Sequence, residues 1–271
     1  MSGPSRQDGL DVVLPLGKPG TGEVRGIPEM ARFHDRALIE WAAEEAILAG
    51  ATRIIMVSAE GFAAGPVLAD RLRQFVRTHQ ARKGRHIRTA LLVHPAAGGE
   101  EGWDGLIHMA LRRCRGSVAV VVDPTTILLR DGKITTYTAF MLCRAAGDHG
   151  RRPLLAVATL PWEDALSLPV LTGPEERPPL TFDRPGDCDS LTVFAGRAVV
   201  PLPVPGDGPA PPPLYGQFPF EPLTQLLLAR NGQMLRLPFR PVEFRHATDA
   251  ETAAGPRGLL MTARLGLSAL Q

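Results

Sequence analysis

Aromatic residues are scarce, 6% of 271 positions, too few for a surface on which the bases of single-stranded nucleic acid stack. Net charge is scarce as well. The formal charge is +2, so no broad field draws the chain to DNA, RNA or an anionic membrane. The three cysteines, Cys114, Cys143 and Cys188, lie far apart without a C-x-x-C pair, which argues against a disulfide framework and a zinc knuckle. No apolar run approaches the roughly 20 residues needed to span a bilayer. The segment Met1–Asp11 is polar and unlike a secretory leader. A cytoplasmic protein, with no nucleic-acid and no membrane partner, is the expectation. The seven histidines show neither H-x-x-x-H nor H-E-x-x-H spacing, and G-x-S-x-G is missing, so neither a zinc protease nor a serine hydrolase is supported.

What is abundant is apolar sequence in short, regularly spaced runs. Hydrophobic residues make up 44%, enough for one large domain over 1–271. Strand signals fall at Leu10–Leu16, Thr52–Ser58, Ile87–Val93, Val118–Val122 and Leu154–Thr159. Helical spacing falls between them, at Leu38–Leu48, Pro66–Arg77, Leu106–Cys114 and Ala139–Ala146. Such alternation predicts an α/β protein, a mostly parallel sheet with helices on both faces. Ligands of these sheets bind at the carboxyl ends of the strands. The core extends over 10–200. The run 201–216 is rich in proline and reads as a surface loop or stiff linker. A C-terminal segment, 217–271, follows, with helix over Pro222–Ala229, strand over Met234–Phe239 and helix over Pro256–Leu270. The basic series from Arg71 to Arg88 reads as a solvated helix face and the loop after it. Trp103 and Trp162 read as packing residues.

Pro28-Glu29-Met30, Asp35-Arg36-Ala37-Leu38-Ile39, Glu44-Glu45-Ala46 and Ala49-Gly50 follow one another before a β-branched strand. In order and spacing they resemble the bacterial UTP–glucose-1-phosphate uridylyltransferase family, whose pattern runs P-K-E-M-L-P, D-K-P-L-I-Q-Y, V-E-E-A, A-G-I. Fainter echoes come later in the same order. Gly105-Leu106-Ile107-His108 resembles the family's G-L-G-H, which lies against uracil and ribose. Ala119–Leu128 resembles the strand whose end supplies a metal-binding aspartate. Asp183-Arg184-Pro185 resembles E-K-P, near the sugar and its phosphate, and Gly196-Arg197 resembles G-R-Y. Phe220–Leu228 resembles the helix after G-E-I-Q-L-T.

The resemblance implies a Rossmann-like nucleotide-diphospho-sugar transferase fold. It also implies transfer of UMP from UTP to a sugar 1-phosphate, giving a UDP-sugar and pyrophosphate. Such chemistry needs little from the protein beyond holding two anions in line and neutralising developing charge, with Mg2+ as cofactor. By correspondence, Gly17, Gly20, Thr21, Gly105 and His108 contact the nucleotide, and Asp183, Arg184 and Gly196 the sugar phosphate. Arg25 and Asp123 take the catalytic positions, Asp123 also as metal ligand.

The chain departs from the pattern at several of these positions. Its glycine-rich loop, Gly17–Gly26, is short by a few residues. Gly22 stands where an arginine should follow G-T, Pro19 removes an N–H donor, and the lysine of P-K-E-M is missing. The family's L-P-D-D becomes Val122-Asp123-Pro124-Thr125, leaving one acid a residue out of place. Asp123-Pro124 reads rather as the start of a turn. Asp249, beside Arg245, is out of register for the second metal carboxylate. Two readings therefore stand: a divergent uridylyltransferase, or a catalytically degenerate member that binds a nucleotide sugar or a protein partner. The sequence is compatible with a homo-oligomer and fixes no oligomeric state.

Overall fold

A computed structural model describes residues 9–17, 27–34, 36–83, 86–94, 103–130, 133–148, 153–161, 170–171, 190–202 and 233–243. The first strand, β1 (Leu10–Pro15), is buried along nearly its whole length. A single 3-10 turn, Pro28–Met30, leads into a two-residue hairpin, β2 (Arg32–Phe33) and β3 (Arg36–Ala37). The core alternation then begins with α1 (Leu38–Ala49), β4 (Ala51–Ala59), α2 (Gly65–Lys83), β5 (Arg88–His94), α3 (Trp103–Arg113) and β6 (Val118–Val122). Two short strands, β7 (Thr126–Arg130) and β8 (Lys133–Ile134), precede α4 (Thr138–Asp148) and β9 (Leu154–Pro161). After β10 (Val170–Leu171) come β11 (Ser190–Pro201), β12 (Gln233–Arg236) and β13 (Arg240–Glu243).

The central sheet runs β12-β9-β11-β6-β1-β4-β5, with β10 on β11. The pairs β1/β4, β1/β6, β4/β5 and β9/β12 are parallel, and β11 alone runs against its neighbours β6 and β9. The mostly parallel α/β architecture is therefore present. Alternation along the strands separates two cores. Val12 and Leu14 of β1 face α1, α2 and α4, together with Ile54, Met56, Val120 and Val122. Val13, Ile55, Val57, Ala119 and Val121 face the other way, against Leu106, Ile107, Ala110 and Leu111 of α3. Both faces are thus covered, which is why the central strands read as continuous apolar runs.

The helix α1 illustrates the local logic. Ala37 offers no side chain to cap it, so Glu40 reaches back and accepts the Ala37 N–H at 2.9 Å. The helix stops at Gly50, which takes a left-handed φ of 87°, a conformation open to glycine without a Cβ clash. Packed between the sheet, α2 and α4, α1 buries Ala42, Ala43, Ala46 and Ile47 but also the charged Glu45. Arg71 and Arg73 of α2 pair with Glu40 and Asp70 at 3.1 and 2.7 Å, and Arg77 is exposed, consistent with a solvated face.

A second sheet, β13-β7-β8, is hydrogen-bonded separately from the first but packs on it, with Leu128 in the main core. Its Ile127 and Leu129 pack on Leu38, Ala31 and Phe33, closing the hairpin against the start of α1. Sequence periodicity had not indicated β7, β11 or β13. The anticipated strand Met234–Phe239 is shorter, since β12 ends at Arg236. The anticipated helices Pro222–Ala229 and Pro256–Leu270, and most of the proline-rich run 201–216, lie outside the described residues.

Candidate functional site

Strand β1 has β4 on one side and β6 on the other. The chain winds outward from β1 through β4 to β5, then returns to β6. The crevice at the carboxyl ends of β1 and β6 is thus a topological switch point, where open α/β sheets bind ligands. Val13 is in register with Val121, so Gly17 and Asp123, just past the two strand ends, flank the same crevice.

Past β1 the Leu16 N–H still donates to the Val57 carbonyl at 2.8 Å. Gly17 then turns sharply, with φ +71°. A Cβ here would stand 2.8 Å from the Phe62 ring, so backbone and packing both demand glycine. Its N–H donates to Glu29 Oε1 at 2.7 Å, and Glu29 is fully buried in the 3-10 turn. Chain departure at Gly17 and return at Ile27 are thereby tied together. Gly20, Thr21 and Arg25 lie outside the described residues.

Past β6, Asp123 opens a turn and folds its carboxylate into it. Oδ1 accepts the Thr125 N–H at 2.9 Å and the Thr125 hydroxyl at 2.7 Å. Oδ2 accepts the Thr126 hydroxyl at 2.9 Å. The residue is 1% exposed. Such a side-chain-to-backbone ring is the local bonding that aspartate favours in turns.

The antiparallel β11 meets this turn with a bulge. Its register shifts between Phe194 and Ala198, and Gly196 sits there with φ +71°. The Gly196 carbonyl accepts the Asp123 N–H at 2.8 Å. A Cβ on Gly196 would lie 3.0 Å from Thr126 Cβ and 3.3 Å from Asp123 Cβ. The structure thus brings together Asp123 and Gly196, two positions 73 apart in the numbering.

Next to Gly196, Arg197 points into the protein and supports the turn from below. Its guanidinium donates to Glu45 Oε2 at 2.7 Å through Nη2 and to the Thr126 carbonyl at 2.6 Å through Nη1. Glu45 Oε1 also accepts the Ala139 N–H at 3.0 Å, at the start of α4, where a carboxylate is favoured by the helix dipole. The Arg197 and Glu45 side chains are 3% and 2% exposed. Glu45 and Arg197 fall in the motif blocks of the sequence, yet nothing there links them. The available signal was a lone charge on the otherwise apolar face of α1.

Gly105 and His108 lie one turn apart on α3, with His108 exposed. Its pKa is lowered from the ordinary value of 6.5, first by partial burial and then by the Arg112 cation. Asp183, Arg184 and Asp249 lie outside the described residues. Among the described residues, no group of three or more His, Cys, Asp and Glu side chains is placed to hold a metal ion, and no helix is long and apolar enough to cross a membrane.

No family model and no curated protein matches the chain. Solved structures do. A UTP-bound UGPase from Acinetobacter baumannii superposes with a TM-score of 0.58 over 95% of this chain and 98% of that one, at 15% identity. The chain has the nucleotidyltransferase fold. A putative glucose-1-phosphate thymidylyltransferase from Bacillus anthracis gives 0.64 over 95% of each chain at 11% identity. HddC from Yersinia pseudotuberculosis gives 0.59 over 94% and 98% at 13% identity. At these identities the likeness establishes architecture alone.

Proposed function

We propose that this protein binds a nucleotide or nucleotide sugar at the β1–β6 switch point, with Asp123 spent on structure and not on a metal. The observation that carries this reading is the closed ring of hydrogen bonds around the Asp123 carboxylate. The fold family implies Mg2+, and the described residues do not fit it. Magnesium requires oxygen ligands held in near-octahedral geometry. Here the one acid at the strand end is buried against its own threonines. Of the remaining functions of such a site, holding the anionic phosphates falls to the loop between Gly17 and Ile27, which would include Gly20, Thr21 and Arg25. Gly105 and His108 would meet the nucleoside. Asp183, Arg184 and Gly196 would border the sugar phosphate.

A second reading is UTP–glucose-1-phosphate uridylyltransferase activity, with UTP and a sugar 1-phosphate as substrates. It is favoured by the tethering of that loop by Glu29, and by a structural neighbour solved with UTP bound. Two measurements separate the readings. Thermal shifts of the full chain with UTP, UDP-glucose and glucose 1-phosphate should show stabilisation by a uridine nucleotide that survives EDTA. At a ligand concentration of about 100 Kd the gain is about 2.7 kcal/mol. Pyrophosphate release from UTP, glucose 1-phosphate and Mg2+ should stay at the uncatalysed rate. Sustained Mg2+-dependent release would establish the transferase and overturn the binder. Stabilisation by none of the three would remove both.

A further inference from the structure

Among the described residues, the pole of the sheet opposite the nucleotide crevice carries an excess of positive charge that the proposed nucleotide site does not use. Helix α3 ends there, and the chain passes from Arg113 through Arg115 into β6. Arg53 on β4 and Arg88 on β5 are direct register partners at the amino ends of their parallel strands. Both project on the face covered by α3, because Ile55 and Leu92, an even number of residues further on, pack in that cluster. Arg53 also donates to the Arg113 carbonyl at 2.8 Å, which brings the end of α3 against the same two strands. The Arg115 N–H donates to Asp11 Oδ2 at 2.6 Å, so Arg115 borders the same group. Arg88, Arg112, Arg113 and Arg115 are exposed.

Among the described residues, Arg88, Arg113 and Arg115 thus stand exposed around the buried Asp11–Arg53 pair. Asp11 is 2% exposed and engaged bidentately by Arg53, at 3.1 and 2.7 Å. Asp11 matches the Arg53 charge, which leaves the exposed arginines of the pole all of one sign. Stabilisation of a helix C-terminus accounts for Arg112 and Arg113 but not for Arg88 on a strand. An anion laid across the pole would offset that charge and take up the forks of the exposed arginines, which match carboxylates two oxygens at a time.

We propose that this pole, centred on the exposed Arg88, Arg113 and Arg115, docks an acidic polypeptide segment of a partner protein. Its width fits that ligand. From β5 across β4 and β1 to the start of β6 is three strand spacings, roughly 14 Å. Four or five residues of extended chain cover that distance. A nucleic acid is disfavoured because the molecule's charge of +2 provides no long-range field to gather phosphates. A membrane surface is disfavoured because insertion needs apolar side chains. The exposed large hydrophobics among the described residues, Val67, Val93, Tyr137, Phe140 and Met141, sit at helix starts or a strand's carboxyl end, at the other pole.

The test is fluorescence anisotropy of a labelled octaglutamate peptide titrated with the full chain at low ionic strength. Binding is expected, and it should weaken at least about tenfold with Arg88→Glu/Arg113→Glu or on raising salt to roughly 300 mM, where the Debye length falls to several ångströms. Arg88→Gln and Arg115→Gln, milder changes on exposed side chains, should each weaken it several-fold. Circular dichroism confirms that every variant is folded. Unchanged stabilisation of the variants by UDP-glucose is expected, since the crevice is at the other pole. Three results would overturn the proposal: no peptide binding by the parent chain, equal binding by the folded double variant, or a DNA duplex of equal charge binding more tightly than the peptide.

Discussion

Replacing Arg197 with methionine removes the cation that supports the Asp123 turn and leaves Glu45 where it is. Glu45 is 1% exposed, so water cannot readily replace the lost partner. The carboxylate keeps only the Ala139 N–H at 3.0 Å among the bonds described above, and the Thr126 carbonyl loses its 2.6 Å donor. Removing one member of a buried pair costs about 3–5 kcal/mol, mostly the penalty of the charge left behind. At about 2–4 °C per kcal/mol for domains of 150–250 residues, the melting temperature should fall by roughly 6–20 °C. Glu45→Leu alone should cost a similar amount, since it strands the guanidinium. Arg197→Met/Glu45→Leu removes both charges and fills the space with apolar atoms, which is often neutral for buried pairs. The double variant should therefore recover at least about 2 kcal/mol relative to the sum of the single losses. Urea titrations followed by far-ultraviolet circular dichroism on the four proteins complete the cycle. A single Arg197→Met variant within about 1 kcal/mol of the parent, the size of an ordinary substitution, would refute the reasoning. So would a double variant no more stable than the additive sum.

Asp123→Ala strands three buried donors of its turn and should cost about 2–3 kcal/mol in urea titration. Asp123→Asn, which keeps an acceptor, should cost less and retain stabilisation by UDP-glucose in EDTA. Gly17→Ala must hold a side chain at φ +71° against the Phe62 ring. The left-handed backbone alone costs about 1–2 kcal/mol, so a larger total is expected, with partial recovery when Phe62→Ala is added; absence of recovery would contradict the contact. Burial pushes the Cys114 and Cys143 thiols from 9.0 up to about 12. For Cys114, the nearby Asp11 charge adds to that shift. Their thiolate fractions at pH 8 are then about a thousandfold below those of ordinary thiols. Alkylation at pH 8, mapped by peptide mass spectrometry, should be far slower at both positions in the folded chain than in urea, and equal rates would contradict their burial.

The sheet was legible in the sequence wherever a strand is central and parallel. VAVVV and TRIIMVS are buried on both faces, so they read as unbroken apolar runs with helices between. The longest strand, β11, was not recognised because Gly196 and Arg197 interrupt SLTVF and AVV. That interruption is the bulge that lets the strand pass the Asp123 turn. Strands β7 and β13 pair over only four residues across more than 110 positions of chain, too short a run at too long a range for periodicity to signal. At the site, Gly17 and Gly196 stood out as motif glycines, and both prove to have left-handed backbones. The use of Asp123 was a question of orientation that spacing alone does not decide. The Glu45–Arg197 pair joins residues 152 apart, and a single sequence carries no sign of such a pairing beyond a charge on an apolar helix face.

The location of the ligand is tested most directly by amide hydrogen exchange on the full chain with and without saturating UDP-glucose in EDTA. Slower exchange should concentrate in peptides containing Gly17, Ile27–Met30, Asp123–Thr126 and Gly196, on both sides of the β1–β6 crevice. Protection confined to the amino ends of β4 and β5 around Arg53 and Arg88, or none anywhere in the chain, would contradict a nucleotide site at the switch point.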